Sequence, residues 1–341
     1  MISIVQYSRY DNHGENLLKR MLLSFYAILE AFETVGIELE LIIVDYNPTT
    51  KYLYQILRPN KKLKYSIVRH IVVDSLIHKK FKDYYKLPIN NMLARNIGIR
   101  RAKGDFILST GIDVIFSLEL VEKLKKLEKH KLYRVNRLDV NNYILNLDFN
   151  NLSDILKFCK RNVIDIHFNT NKNENYIDPN IPTLHTNNCG DFQLTAKENW
   201  HYLRGYPEID LMCIHCDSIF SYMCYFYGLE EEVINANFYH IDHESRWLKP
   251  IYTHILRNWR MLYFMIGEKV YEYKSEYYKL AKKISNDFNE RSFLDEIDYE
   301  YLTTNEFKFM VRKLKNNFIL NNEDWGCGNC DFKEIIYDGN S

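Results

Sequence analysis

Apolar positions along the first third of the chain alternate between two periods. Ile2 to Gln6 is a short apolar run that reads as a buried strand. The polar loop Tyr7 to Gly14 follows, and then a long amphipathic helix at about Glu15 to Val35. Glu40 to Val44 predicts a second strand ending at Asp45-Tyr-Asn-Pro, and Tyr65 to Val73 is another β-rich run. Between Asn90 and Ser117, Leu93, Ile97 and Arg101 recur at helical spacing beside a small-residue stripe of Ala94, Gly98 and Ala102, with Gly104 where a helix C-cap is expected. Asp105 to Thr110 then reads as a buried strand that ends at Gly111-Ile112-Asp113. Strands alternating with helices predict an α/β fold: a three-layer α/β/α sandwich on a mainly parallel sheet. Such sheets bind ligands beyond the carboxyl ends of their strands, where Asp45 and Asp113 fall.

Further along, Leu118 to His130 predicts a basic amphipathic helix, and Leu132 to Leu138 and Tyr143 to Leu147 predict strands. Asn169 to Pro182 is rich in Asn, Pro and Asp and reads as a long polar loop. Thr195 with Glu198 has capping-box spacing, a turn is expected at Gly205-Tyr-Pro-Glu208, and Asp217 lies early in an apolar helix that stops at Gly228. The run Phe238-Tyr-His240-Ile-Asp-His243-Glu244 is dense in metal-ligating side chains. Histidines three apart are neighbours on a helix and face apart in a strand, so the ligand choice between His240 and His243 stays open. Beyond Pro250 the pattern becomes helical, with helices expected at Ile251 to Tyr273, Tyr277 to Ile284 and Glu306 to Asn316. This divides the chain into 1–250 and a helical C-terminal extension, 251–341.

Composition narrows the function. Lys+Arg and Asp+Glu are each 45, so the net charge of +0 argues against a partner held by phosphate neutralisation, and no nucleic acid is expected. Hydrophobic residues make up 46%, yet no window approaches ~20 uninterrupted apolar residues and no basic and apolar leader opens the chain, so no transmembrane segment and a cytoplasmic location are expected. Seven cysteines, an odd number, suit reduced thiols. The CxxC pairs Cys213/Cys216 and Cys327/Cys330 allow a Cys₄ zinc site, with buried free thiols as the simpler reading. In the basic stretch His78 to Pro88, Lys80 or Lys82 could reach a phosphate, although a solvated loop is the plainer reading. An Asn- and Lys-rich composition hints at an AT-rich genome such as that of a large DNA virus.

The run ARNIGIRRAKGDFILSTGIDVIFS resembles the donor-binding segment of GT-A glycosyltransferases of the family-2-like kind, including those of large DNA viruses and bacteria. The resemblance covers roughly residues 1 to 250. It implies a GT-A-type α/β/α fold and transfer of a sugar from a nucleoside diphosphate sugar to a hydroxyl of a glycan or other acceptor, with inversion and a Mn²⁺ or Mg²⁺ ion. By the same resemblance Ser8, Arg9, Asp45, Arg95 and Asn96 match nucleotide-binding positions. Gly190 and Asp191 match the sugar site, Asp113 with His240 or His243 the metal shell, and Asp217 the catalytic base, with Glu208 as the alternative. Two departures stand out: Gly111 replaces the first acid of the DxD-type pattern, and Cys216 the acid before the base. They motivate a competing reading as a non-catalytic nucleotide-sugar or carbohydrate-binding protein of the same fold. A nucleotidyltransferase, the third class, would need a glycine-rich basic loop near the first strand that this sequence lacks. A homodimer is a candidate assembly.

Overall fold

A computed structural model describes residues 1–82, 84–148, 151–167, 177–209, 215–243 and 302–338. The strands are β1 (Ile2–Ser8), β2 (Leu39–Tyr46), β3 (Ser66–Val73), β4 (Phe106–Thr110), β5 (Val114–Phe116), β6 (Lys131–Val140), β7 (Val163–His167), β8 (Phe192–Ala196), β9 (Glu230–Ile241) and β10 (Lys333–Tyr337). The helices are α1 (Leu17–Val35), α2 (Ser75–His78), α3 (Asn91–Arg101), α4 (Leu118–Lys123), α5 (Leu152–Arg161), α6 (Lys197–Leu203), α7 (Cys216–Tyr227) and α8 (Thr304–Leu314). One sheet runs β10-β3-β2-β1-β4-β8-β6-β9-β5, with β7 paired to β6. β1, β2, β3, β4, β6 and β9 point the same way, and β5, β7, β8 and β10 run against them. The architecture is the mainly parallel, helix-flanked α/β sandwich that the periodicity predicts.

The central strands are continuous apolar runs because both of their faces are covered. On one face lie Leu17, Met21, Phe25, Ile28 and Phe32 of α1; on the other lie α3 and α7 with Leu93, Ala94, Ile97, Ile219, Phe220 and Met223. Gly98 explains the small-residue stripe: a Cβ there would sit 2.5 Å from Val5 Cγ1 and 3.0 Å from Val44 Cγ2. The helix can therefore lie directly on β1 and β2 only without that side chain.

Several local expectations change. α3 ends at Arg101, capped by an extended Ala102, and Gly104 serves instead to let the chain touch β1: its N–H donates to Ser3 Oγ at 2.8 Å, and a Cβ would stand 2.6 Å from Ser3 N. Thr195 is the last residue but one of β8, where its hydroxyl donates to Lys131 O at 2.8 Å, so α6 starts after Ala196 without a side-chain cap. The expected strand at Tyr143 to Leu147 is a 3₁₀ turn over Asn142–Asn146, because Asn141 Oδ1 accepts the Tyr143 N–H at 2.8 Å and starts a turn. The expected helix Leu118 to His130 ends early, with a 3₁₀ turn at Leu124–Lys126.

The two expected helices at 251–273 and 277–284 lie outside the described residues, as does most of the expected polar loop. The third is α8, opened by a reciprocal Thr303/Glu306 capping box. Its Phe307, Val311 and Leu314 join the core containing α7. The chain then crosses α3, where Arg100 donates to Glu323 O and Trp325 O at 2.9 and 2.7 Å, and Arg101 to the carbonyls of Gly326, Cys327 and Cys330 at 2.8 Å each. It finishes as β10, antiparallel to β3.

Candidate active site and metal centre

The carboxyl ends of the parallel strands assemble the site. Ladder register sets His240 of β9 opposite Asp139 of β6 on one side and Val114 of β5 on the other, one residue after Asp113. Ile241 N–H donates to Asp113 O at 2.9 Å, which fixes the turn carrying that carboxylate. The strand ends at Ile241, and the chain bends so that His243 returns to the same point. The ligating atoms of Asp113, His240 and His243 lie within 4.8 Å of one another. His240 Nε2 is 3.6 Å from Asp113 Oδ1, and His243 Nε2 is 3.3 Å from Asp113 Oδ2. Both histidines thus face the same carboxylate. The strand-or-helix choice posed by the sequence dissolves, because His240 lies within the end of the strand and His243 follows it.

Asp113 is buried and forms an ion pair with Arg20 of α1, whose own guanidinium also donates to His13 O at 2.8 Å and Glu15 O at 3.1 Å. Burial would raise the Asp113 pKa, but His240, His243 and Arg20 outweigh it and hold the group well below the usual carboxylate range. Burial and Arg137 push His240 down, while Asp113 and Asp139 overcome them and raise its pKa. The donor set of one carboxylate and two imidazoles fits a first-row divalent ion. His240 Nδ1 donates to Asp139 Oδ1 at 3.1 Å, since a carboxylate only accepts, so in the neutral ring the lone pair that would bind an ion lies on Nε2, on the Asp113 side.

Across from this cluster, Thr110-Gly111 leads to the short turn Cys189–Asp191. Gln6 Nε2 donates to Gly111 O at 2.6 Å and anchors the turn from below. A Cβ on Gly111 would lie 3.2 Å from Asp113 Oδ1 and 3.3 Å from Asp191 Oδ1, so Asp191 brings a carboxylate beside the position where the sequence lacks one. Gly190 allows a close approach of Asp217: a Cβ there would be 2.6 Å from Asp217 Oδ2 and 3.5 Å from an Arg95 guanidinium nitrogen. Asp217 sits in the first turn of α7, where its Oδ1 accepts the Ser218 N–H at 2.8 Å while Gln193 holds its carbonyl at 2.9 Å. Gly190, Asp191, Arg95 and Asp217 therefore meet in one place.

The other sequence candidates divide. Ser8 and Asp45 are ladder partners at the ends of β1 and β2, both buried. Asp45 Oδ2 accepts the Leu53 N–H at 2.8 Å, and Oδ1 has no hydrogen-bond partner. Burial pushes the Asp45 pKa up to about 6 against the opposing pull of the Leu53 N–H and Arg9. Arg9 pairs with Asp11 at 3.1 Å and donates to Pro88 O at 3.2 Å. Arg95 donates to Ser109 Oγ at 2.7 Å with its guanidinium over the Tyr7 ring, 4.8 Å from its centroid. Asn96 faces the Gly205–Glu208 turn: Nδ2 donates to Tyr206 O and Glu208 Oε1 at 2.8 Å each, and Oδ1 accepts the Tyr206 N–H at 2.8 Å. Glu208 also accepts the Gly326 N–H at 2.7 Å, and burial raises its pKa.

Three site residues escaped the sequence reading. Arg20 lies on the buried stripe of α1 with Leu17, Ser24 and Ala27, and a charge on that stripe was the available signal. Arg137 and Asp139 lie on β6, where Lys131, Arg134 and Asn136 are also polar, so nothing in the pattern singled them out. Cys327 and Cys330 lie in the tail that crosses α3 and Cys216 is buried in α7, none of them in a disulfide; Cys213 lies outside the described residues.

No protein-family model matches this chain, and no curated protein matches it. Among solved structures it is similar to S. aureus TarS 1–349, at 16% identity over 70% of this chain and 60% of that one, with a TM-score of 0.42. It is also similar to the mannosyltransferase PcManGT from Pyrobaculum calidifontis, solved with GDP-Man and Mn²⁺: 10% identity, 79% of this chain, 65% of that one, TM-score 0.39. A third is the catalytic domain of Drosophila β1,4-galactosyltransferase 7, solved with xylobiose: 9% identity, 76% of this chain, 80% of that one, TM-score 0.36. The chain spans about 60% of the length of the TarS fragment. At such identities and scores none of these likenesses fixes an activity.

Proposed function

We propose that the chain is a glycosyltransferase that moves a sugar from a nucleoside diphosphate sugar to an acceptor hydroxyl with inversion, using Asp113, His240 and His243 to hold a divalent ion. The observation that carries the reading is the convergence of this cluster with Asp191, Arg95 and Asp217 at the carboxyl ends of the parallel strands. Two imidazoles beside one carboxylate favour Mn²⁺ over Mg²⁺, which prefers oxygen ligands alone. When bound, the ion would neutralise the charge of the departing diphosphate.

The remaining roles fall to the protein. Ser8, Arg9 and Asp45 line the ends of β1 and β2 and bind the nucleotide, with the unpartnered Asp45 Oδ1 offered to a donor group of the base or ribose. Arg95 supplies positive charge beside Gly190 and Asp217, Asn96 braces the turn that leads to α7, and Asp191 engages sugar hydroxyls. Asp217 takes the proton from the acceptor hydroxyl. Glu208, the other candidate base, has its carboxylate engaged by Asn96 and Gly326 and acts as a brace. In this reading 1–250 is the catalytic part and 251–341 an extension. A cytoplasmic location and a hydroxyl-bearing glycan acceptor complete the proposal; among the described residues, no helix is long and apolar enough to cross a membrane. Calorimetric titration with UDP, GDP and dTDP in the presence of Mn²⁺ is expected to find one that binds, and binding by none overturns the reading.

A further inference from the structure

Asp139 lies behind the metal cluster and is 3% exposed. Both oxygens of its carboxylate are held by neighbouring donors. Oδ1 accepts from His240 Nδ1 at 3.1 Å and lies 2.9 Å from Arg137 Nε as an ion-pair contact that is not aligned as a hydrogen bond. Oδ2 accepts from His167 Nε2 at 2.8 Å and from a terminal nitrogen of Arg137 at 3.1 Å. Asp139, Asp165 and His167 also have their ligating atoms within 4.8 Å of one another. That second group is nevertheless the poorer cation site, because its central carboxylate already accepts three hydrogen bonds, from His240, His167 and Arg137. The other terminal nitrogen of Arg137 reaches Asp191 Oδ2 at 2.6 Å, which leaves Asp191 Oδ1 turned toward Gly111 and Asp113.

We propose that Asp139 is a positioning residue that joins the two halves of the site, orienting the His240 ring toward Asp113 on one side and, through Arg137, the Asp191 carboxylate on the other. The inference rests on the metal-dependent reading given above. A histidine ligand whose second nitrogen is unheld must lose ring freedom on binding an ion, and removal of such a partner typically weakens metal affinity about 10–100-fold. The two oxygens have different tasks. Asp139→Asn can keep its carbonyl oxygen toward His240 while its amide faces His167 and Arg137, whereas Asp139→Ala loses both.

The test is Mn²⁺ binding to the full chain without donor or acceptor, read as the loss of the free-Mn²⁺ electron paramagnetic resonance signal, with folding checked by circular dichroism. Asp139→Ala is expected to weaken Mn²⁺ binding about 10–100-fold, with Asp139→Asn intermediate. His167→Gln removes a donor from the far side of the same carboxylate and is expected to leave Mn²⁺ affinity within about twofold of the parent, since it lies off the path from Asp139 to Asp113. If Asp139→Ala does not fold, the double variant Asp139→Ala/Arg137→Met removes the buried guanidinium along with its carboxylate, leaving only the part-exposed Asp191 without that partner, and is expected to show the same loss. A folded Asp139→Ala or double variant that binds Mn²⁺ like the parent overturns the inference, and so does a His167→Gln variant that loses as much. A parent chain that binds no Mn²⁺ overturns both the inference and the metal-dependent reading beneath it.

Discussion

Asp45 offers a test in which stability and binding move in opposite directions. Its carboxylate is fully buried with one oxygen unpartnered, and burial moves its pKa from 3.8 to about 6. Because the folded-state pKa is raised, the folded protein holds the proton more tightly than the unfolded chain. The ionised group contributes no cost well below the unfolded pKa. The cost grows as pH rises between the two pKa values and is constant above the folded one. At about 1.4 kcal/mol per pKa unit, the cost is roughly 1 kcal/mol near pH 4.5 and roughly 3 kcal/mol near pH 7.5. Asp45→Asn keeps an acceptor for the Leu53 N–H and carries no charge. Urea denaturation of both proteins at the two pH values is therefore expected to show the asparagine variant gaining about 2 kcal/mol more at the higher pH than at the lower. The same variant should lose nucleotide affinity in calorimetry, because the free oxygen is the proposed contact. A gain that is equal at both pH values, or a loss confined to high pH, would refute the claim that the ionised carboxylate is held at a cost for a ligand.

Other outcomes follow from the same geometry. Asp217→Asn should lower kcat about 10²–10⁴-fold while donor affinity stays within a few-fold; near-normal turnover in a folded variant removes Asp217 from the chemistry. Gly190→Ala places a methyl 2.6 Å from Asp217 Oδ2 and must displace it, and steady-state kinetics should show at least about a tenfold fall in kcat/KM, whereas an unchanged value means that the placement of Asp217 against Gly190 does not matter to turnover. Trp325, buried against Arg100 and His201, ties the tail to α3 and α6. Trp325→Ala should cost about 3–5 kcal/mol in urea denaturation, and a cost under about 1 kcal/mol would show that the tail contributes little to the fold.

The layered fold was legible because its central strands and α1 have clean periods: Ile2 to Gln6, Glu40 to Val44 and the α1 stripe need only burial to form. Their ends were less legible, since side-chain hydrogen bonds set them; Asn141 turned an apolar run into a 3₁₀ turn, and Ser3 rather than a helix cap claimed Gly104. In the site, Asp113 could be found from its place after a strand, and His240 and His243 from their density. What the sequence could not reveal was the pairing of β9 between β5 and β6, a contact more than a hundred residues long in sequence, which sets His240 between Asp113 and Asp139. Arg20 on the buried stripe of α1 marks a buried partner without saying which one, while Arg137 and Asp139 lie in the mixed polar sequence of β6 and carry no such mark.

The central claim is that Asp113 with its two histidines serves the departure of a nucleoside diphosphate. The most direct measurement is nucleoside diphosphate release from a panel of UDP, GDP and dTDP sugars, run with and without Mn²⁺ on the parent chain and on Asp113→Ala. The account predicts release from at least one donor that requires the ion and is lost in the folded variant. Release by Asp113→Ala at the parent rate without added metal, or no release from any donor by the parent, would contradict it.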